Sequence, residues 1–378
     1  MNGAGENGKE ELIKFLKERC QNEKGISFES FMEQALYHPL YGYYASGEAE
    51  IGRKGDFFTS VSVGPLYGEL LAFQFVEMWE RLGSPKKWDL VEQGAHHGQL
   101  SVDVLKGLKS ISEQAFGSCR FTILEPFEKQ RVLQQAKLEA EGLKAKWVKS
   151  FEEISSVEGV WFSNELVDSF PVHRLVWEKG AWWESWVVWR GEKFDWELTP
   201  LALGRLVDVS ATLPLPTMEP YVAEVSLHAC DWMKRVAQTM QRGFVLTVDY
   251  GFEFLRLYHP ERAQGTLQTY HAHRKGDDPL EHVGQQDITT HVDFTALIEA
   301  GAEAGLKALG FTDQHHFLVG LGTTLLETRD PTSPAYQKKL RAFRTLMHPE
   351  MMGTAFQCLI QSKNVEVKGN LRGLQFSQ

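Results

Sequence analysis

The sequence predicts an α/β fold, a mostly parallel Rossmann-like sheet wrapped by helices on both faces. Three observations lead there. Short apolar strands alternate with amphipathic helices from residue 88 onward. A glycine-rich turn joins the first of these strands to its helix. Acidic or amide residues stand at the ends of the second, fourth and fifth strands, where open α/β sheets bind ligands.

Taken in order, residues 10–20 carry Leu12, Ile13, Phe15 and Leu16 at helical spacing. Ser27 caps a second helix bearing Phe28, Phe31, Met32, Ala35 and Leu36, which His38 and Pro39 stop. Residues 41–62 form a glycine-punctuated aromatic loop, and a third amphipathic helix runs over 64–81 through Leu66, Leu70, Phe73, Val76 and Trp79. Strands are predicted at 88–92, 121–124, 146–148, 159–163 and 243–248, with helices over 100–108, 127–140 and 226–242. Two late strands, 316–319 and 356–361, complete a seven-stranded sheet as an antiparallel edge. Between the fourth and fifth strands, residues 173–196 read as a β-meander turning at Lys179-Gly180 and Arg190-Gly191. Seven of the eleven tryptophans fall between Trp161 and Trp196. Such enrichment marks a partner surface or, roughly twice as often, aromatic packing within the sheet itself.

Composition excludes several classes. The chain has 378 residues, is 43% hydrophobic and 24% charged, and carries a net charge of −10 with no dense Lys/Arg run. Nucleic acid is not an expected partner, since phosphate neutralisation needs a basic face. An acidic protein suits a cationic substrate. Cys20, Cys119, Cys230 and Cys358 are scattered, which argues against a zinc ribbon or a disulfide framework. A polar, acidic start without an apolar signal core and the lack of a bilayer-length apolar run lead to the expectation of a cytoplasmic protein with no membrane partner.

The segment E-Q-G-A-H-H-G-Q-L at 92–100 follows a strand and opens a helix, so backbone N–H groups and the helix N-terminus face a polar ligand there. A dinucleotide fingerprint would need glycines at 96 and 99, where His96 and Gln99 stand, and a nicotinamide cofactor is disfavoured. Glu125, at the end of the second strand, is placed to accept both hydroxyl hydrogens of a ribose, or is a surface glutamate. Asn164, Glu165 and Asp168 follow the fourth strand; they could hold a guanidinium through bidentate hydrogen bonds or cap the next helix. Asp249 ends the fifth strand.

Eight stretches carry a family resemblance: F-M-E-Q-A-L-Y-H-P-L-Y-G-Y-Y at 31–44, G-D-F-F-T-S at 55–60, the 92–100 loop, N-E-L-V-D-S-F-P-V at 164–172, D-Y-G at 249–251, G-T-L at 265–267, D-I-T-T-H-V-D-F at 287–294 and M-M-G at 351–353. In this order they resemble the MidA-like methyltransferases, relatives of the mitochondrial complex I assembly factor that dimethylates an arginine. The resemblance implies a class I methyltransferase fold using S-adenosylmethionine and an arginine-bearing protein substrate. It implies that Gly55, Asp56 and Phe57, with Thr59 and Ser60, fold over the cofactor, and that Glu92, Gly94, Gly98, Glu125 and Asn164 bind it. Asn164, Glu165 and Asp168 would face the acceptor, with Asp249 a weaker candidate. The family's middle glycine is His96 here, whose ring either points away or crowds the cofactor. The division expected is a helical extension with a covering loop at 1–84, a methyltransferase domain at 85–363 with a β-rich insertion at about 172–220, and a flexible tail at 364–378.

His271, His273, His282, His291 and Asp287 share no helix face, and no metal is expected of them. The expected reaction is in-line displacement of the sulfonium methyl by a nitrogen, with Glu165 and Asp168 localising charge on the far guanidinium nitrogens. The rival is a non-catalytic assembly or scaffold protein that keeps the fold and binds a partner through the tryptophan-rich insertion.

Overall fold

A computed structural model of the chain describes residues 4–46, 59–202, 204–271, 274–276, 278–325, 331–348 and 352–377. The central sheet is built from β1 (Trp88–Gln93), β2 (Cys119–Leu124), β3 (Lys146–Val148), β4 (Val157–Asn164), β5 (Met240–Phe252), β6 (Lys307–Asp313) and β7 (Phe356–Lys363). Their spatial order is β6-β7-β5-β4-β1-β2-β3. β1 pairs parallel with β2 and β4, β4 with β5, and β2 with β3; β7 runs antiparallel to both β5 and β6. A short strand, Val292–Asp293, pairs with the end of β5, so the sheet has eight strands rather than seven.

Alternate residues of each strand supply two different cores, because strand side chains alternate between faces and both faces are covered. Leu90, Val160, Phe162, Phe244 and Leu246 pack with helices Leu66–Arg81 and Gln99–Ile111. Val91, Trp161 and Val245 pack instead with Leu227–Thr239 and Phe294–Glu303. The chain reverses its direction of sheet growth between β1 and β4, which opens a crevice at their carboxyl ends.

The tryptophan-rich insertion is a separate five-stranded sheet of Ile26–Ser27, His173–Glu178, Ala181–Arg190, Lys193–Pro200 and Tyr221–Val225. Ile26 pairs with Val187, which ties the insertion to the N-terminal helices Ala4–Glu23 and Phe28–Tyr37. Leu12, Leu16, Phe28 and Phe31 bury against Val187 and Phe194, with Trp189 and Trp196 packed around them. Trp177 and Trp182 pack on a second cluster with Tyr221. At least these four rings serve intramolecular packing. As the sequence suggests, Ser27 caps its helix by accepting from the Ser30 N–H at 3.2 Å.

Two expectations fail. Residues 316–319 are not a strand but part of helix Gln314–Leu325, and the edge strand is β6. Phe317, Leu318 and Leu321 are fully buried at helical spacing, and Asp313 accepts the His316 N–H at 2.8 Å to start the turn. The short apolar run carried too few residues to separate the two periods. Nor is the C-terminus a flexible tail: Leu371 and Leu374 are buried, and the Arg372 and Gly373 N–H groups donate to Glu77 and Gln74 of helix Leu66–Arg81, each at 2.9 Å.

Candidate active site

The crevice at the carboxyl ends of β1, β2, β4 and β5 holds two adjoining chambers that share Thr59, Gly94, His96 and Glu165. The turn after β1 forms their common wall. Gly94 and Gly98 have φ of +82° and +79°, a conformation that a Cβ strains; at Gly94 a side chain would also press on Leu166 at 3.2 Å. His96 adopts φ +46° in the same turn, packs against the His97 ring at a tilt of 30° with centroids 3.8 Å apart, and borders both chambers.

Glu125 follows β2 and is held by two donors, the Phe127 N–H to Oε1 at 3.0 Å and Gln134 Nε2 to Oε2 at 2.9 Å. Each oxygen keeps a further lone pair, so the carboxylate can still receive two hydroxyls. Gln134 is fully buried; its Nε2 also donates to the His96 carbonyl at 2.7 Å, and its Oε1 accepts from Trp147 Nε1 at 3.0 Å. One side chain thereby fixes the glycine turn to the acid across from it. Glu92, at the β1 end, accepts from the Ser101 hydroxyl and is pushed up to about 7 by burial. It lines the second chamber with Asn164 and Asp103.

Asn164, Glu165 and Asp168 come together where β4 ends. Tyr67 donates its hydroxyl to Asn164 Oδ1 at 2.6 Å, and Asn164 Nδ2 donates to Glu165 Oε1 at 2.9 Å. Glu165 sits at φ +53°, a left-handed conformation uncommon for a glutamate. Asp249 faces this loop rather than a chamber: its oxygens accept the N–H groups of Leu166 (3.0 Å), Val167 (2.7 Å) and Tyr250 (2.9 Å). Burial, with Asp249 beside it, raises Glu165 to about 8; Asp168 is raised well above the carboxylate range by burial and by Asp249, Asp287 and Glu165.

The first chamber is lined by Glu165, Asp168 and Asp287 among Tyr37, Tyr44, Phe127, Phe170 and Tyr250. Asp287 was weighed in the sequence only as a metal ligand. Here its Oδ1 accepts from the Tyr44 hydroxyl at 2.7 Å, while the Thr290 N–H donates to the Asp168 carbonyl at 2.8 Å and pins the two segments together. Tyr37 donates to the Ser169 carbonyl at 3.1 Å, so the N-terminal helices wall the chamber. Sequence reasoning missed Tyr37, Tyr44, Gln130, Gln134 and Tyr250; the aromatic density of 31–44 and the i, i+4 glutamines after β2 were the available signals.

Thr59 lines both chambers and Ser60 is buried against Gln314, whose Oε1 accepts its hydroxyl at 3.0 Å. Gly55, Asp56 and Phe57 lie outside the described residues, as does His273. Among the described histidines, His271 stacks on His282 with centroids 4.1 Å apart, and His291 packs edge-on against Phe252. Among the described residues, no group of three His, Cys, Asp or Glu side chains could hold a metal ion, and no helix is long and apolar enough to cross a membrane.

The strand order, the glycine turn and the acid after β2 define a nucleoside-binding α/β domain of the methyltransferase kind. The chain belongs to the S-adenosyl-L-methionine-dependent methyltransferase family whose model matches residues 70–312. It is 28% identical over 381 aligned residues to the mitochondrial protein arginine methyltransferase NDUFAF7 homolog of Drosophila melanogaster, covering 94% of this chain and 85% of that one. The human mitochondrial protein arginine methyltransferase NDUFAF7 is 24% identical, covering 94% and 84%. A solved structure from Burkholderia thailandensis, bound to S-adenosyl-homocysteine, superposes with a TM-score of 0.89 at 29% identity, covering 98% of this chain and 96% of that one. The fold is therefore Rossmann-like and the cofactor class is S-adenosylmethionine. The expectation of a cytoplasmic protein is overturned, because the curated relatives are mitochondrial. Scattered free thiols suit any reducing compartment and could not distinguish them.

Proposed function

We propose that this chain transfers the methyl group of S-adenosylmethionine to an arginine side chain of a protein. One observation carries the acceptor: the carboxyl groups of half-buried Glu165 and buried Asp168 share an aromatic chamber that no Lys or Arg among the described residues lines. Carboxylates so placed are costly without a cation, and a guanidinium supplies one together with donors that match carboxylate geometry. Tyr37, Tyr44 and Tyr250 bring aromatic rings to the same chamber, where a guanidinium can pack on them. The naming of the relatives as protein arginine methyltransferases agrees with this reading.

The residues fit the cofactor. Gly94 lines both chambers in the left-handed turn after β1, Gly98 packs that turn against Gln134, and Glu125 offers acceptors for the ribose hydroxyls. Thr59 lines the adjoining chamber, where Glu92 and Asn164 stand. When bound, the cofactor supplies a methyl group already activated by its sulfonium charge. Glu165 and Asp168 receive hydrogen bonds from the far guanidinium nitrogens and turn the near nitrogen toward the methyl group. Transfer releases one N–H proton, and the Glu165 carboxylate, whose affinity for a proton burial raises, is placed to accept it. Asn164 orients that carboxylate, and Asp249 holds the loop in register through backbone N–H groups.

Calorimetric titration with S-adenosylmethionine, with NAD as control, tests the cofactor. Binding of the first alone is expected, and binding of NAD alone would refute the assignment. Glu165→Gln should lower turnover by about 100-fold while changing cofactor affinity little; equal turnover in the variant would remove Glu165 from the chemistry.

A further inference from the structure

Two segments leave the first chamber side by side. β5 passes from Tyr250, which lines the chamber, to Phe252 at its carboxyl end. The segment after Thr289, another lining residue, continues through His291 and pairs parallel with β5, Val292 beside Gly251 and Asp293 beside Phe252. The half-buried Phe252 ring collects cations there. The guanidinium carbon of exposed Arg256 lies 4.6 Å from its centroid and that of half-buried Arg262 4.2 Å, while His291 packs edge-on at 5.2 Å. Arg262 Nη1 donates to the Arg256 carbonyl at 2.6 Å, which holds both charges on the one ring.

Like charges so placed repel unless an anion answers them. Among the described residues, no carboxylate is within ion-pair distance of either guanidinium; Glu261, next to Arg262 in the chain, is exposed and turned toward His259 Nδ1 at 3.6 Å. Arg262 is held below the ordinary guanidinium range, first by burial and then by Arg256, and Glu261 offsets this only in part. His291 adds no negative charge: burial, with Arg262 and Lys275, pushes it down to about 4. An acidic chamber therefore borders a basic cluster. Phe252 is two residues past Tyr250, about 7 Å along the strand, a span that two or three residues of an extended peptide cover at about 3.3 Å each.

We propose that Arg256 and Arg262 bind an Asp or Glu carboxylate two or three residues from the target arginine, so that the chain selects protein arginines with an acidic neighbour. Each guanidinium fork matches a carboxylate. In a chain of net charge −10 such a local cluster is what admits an acidic segment beside the chamber. The inference rests on the arginine-acceptor reading above and adds a sequence preference to it.

The test is calorimetric binding of glycine–serine peptides with one central arginine to the full chain saturated with S-adenosylhomocysteine. Glutamate three residues before or after the arginine should, on at least one side, tighten binding about fivefold over glutamine at the same position, the worth of a half-exposed charge pair. Glutamate moved to seven residues away should lose that gain, and high salt should shrink it to within about twofold. The Arg256→Gln/Arg262→Gln double variant should also lose it while binding S-adenosylhomocysteine as the native chain does; Arg262→Lys, which keeps the charge, should retain part of it. Equal binding of the glutamate and glutamine peptides on both sides would overturn the proposal, as would a gain indifferent to placement or kept by the double variant. If that variant does not fold, placement and salt dependence in the native chain decide alone. Failure of every arginine peptide to bind would overturn the acceptor reading itself, a result distinct from binding without discrimination.

Discussion

Replacing Glu165 by Gln should stabilise the ligand-free protein while disabling it. Glu165 is raised from 4.5 to about 8, first by burial and then by Asp249 and Asp287. The folded chain therefore binds its proton more tightly than the unfolded chain does. The sign follows directly: stability from this group is full below the unfolded value of 4.5 and is lost as pH rises toward about 8. At pH 7 the mismatch amounts to about 3 kcal/mol, since each pKa unit is worth about 1.4 kcal/mol. A glutamine carries no proton to lose, and its carbonyl can still accept the Asn164 amide hydrogen now given to Glu165 Oε1 at 2.9 Å. Urea unfolding of both chains at pH 5.5, 7 and 8.5 reads the difference. The advantage of the variant should grow from about 1 kcal/mol at the lowest pH to several at the highest. An advantage independent of pH, or a variant less stable throughout, would refute the claim that Glu165 is held against its charge. Such a gain at the expense of turnover is the trade expected of a functional residue.

Three other perturbations address the frame around the site. His96→Gly should raise stability by about 1 kcal/mol, relieving a left-handed backbone position, and leave S-adenosylmethionine affinity within a few-fold; a large gain in affinity would show that the histidine obstructs the native turn. Gln134→Leu removes three hydrogen bonds, to His96, Glu125 and Trp147. It should lose about 3 kcal/mol in thermal or urea unfolding and weaken cofactor binding more than it slows turnover at saturation, whereas unchanged binding would make Gln134 merely a core residue. Deleting residues 371–378 removes the buried Leu371 and Leu374 and should lower stability by about 4 kcal/mol. An unchanged unfolding midpoint would return this segment to the status of a tail.

The parallel half of the sheet is legible because its strands are buried on both faces. Val160, Trp161 and Phe162 of β4 are all apolar, yet they serve two different cores. β6 escaped notice for the opposite reason: Lys307–Asp313 lies at the sheet edge, is largely half-buried or exposed, and has only Leu309 and Phe311 as large apolar side chains. At the site, strand ends told most of the story, since Glu125 and Asn164 stand where a doubly wound sheet puts its ligands. The acceptor chamber did not read the same way. Tyr44, Asp168 and Asp287 reach it from segments more than a hundred residues apart, joined by a hydroxyl–carboxylate bond and a backbone contact that no local pattern encodes. Asp249 looked like a fellow catalytic acid because its strand-end position is the same as the others'. Only its three backbone partners separate it from them. The compartment was beyond composition, and the relatives supply the correction.

The most direct test of arginine methylation labels the transferred group. The purified chain is incubated with S-adenosylmethionine carrying a radioactive methyl group and with protein from cells that lack this chain; acid hydrolysis then identifies the labelled amino acid. Label in an Nω-methylated arginine, formed about 100-fold more slowly when Glu165→Gln replaces the native chain, is the predicted result. Label confined to lysine, histidine or a non-protein fraction would contradict the acceptor assignment.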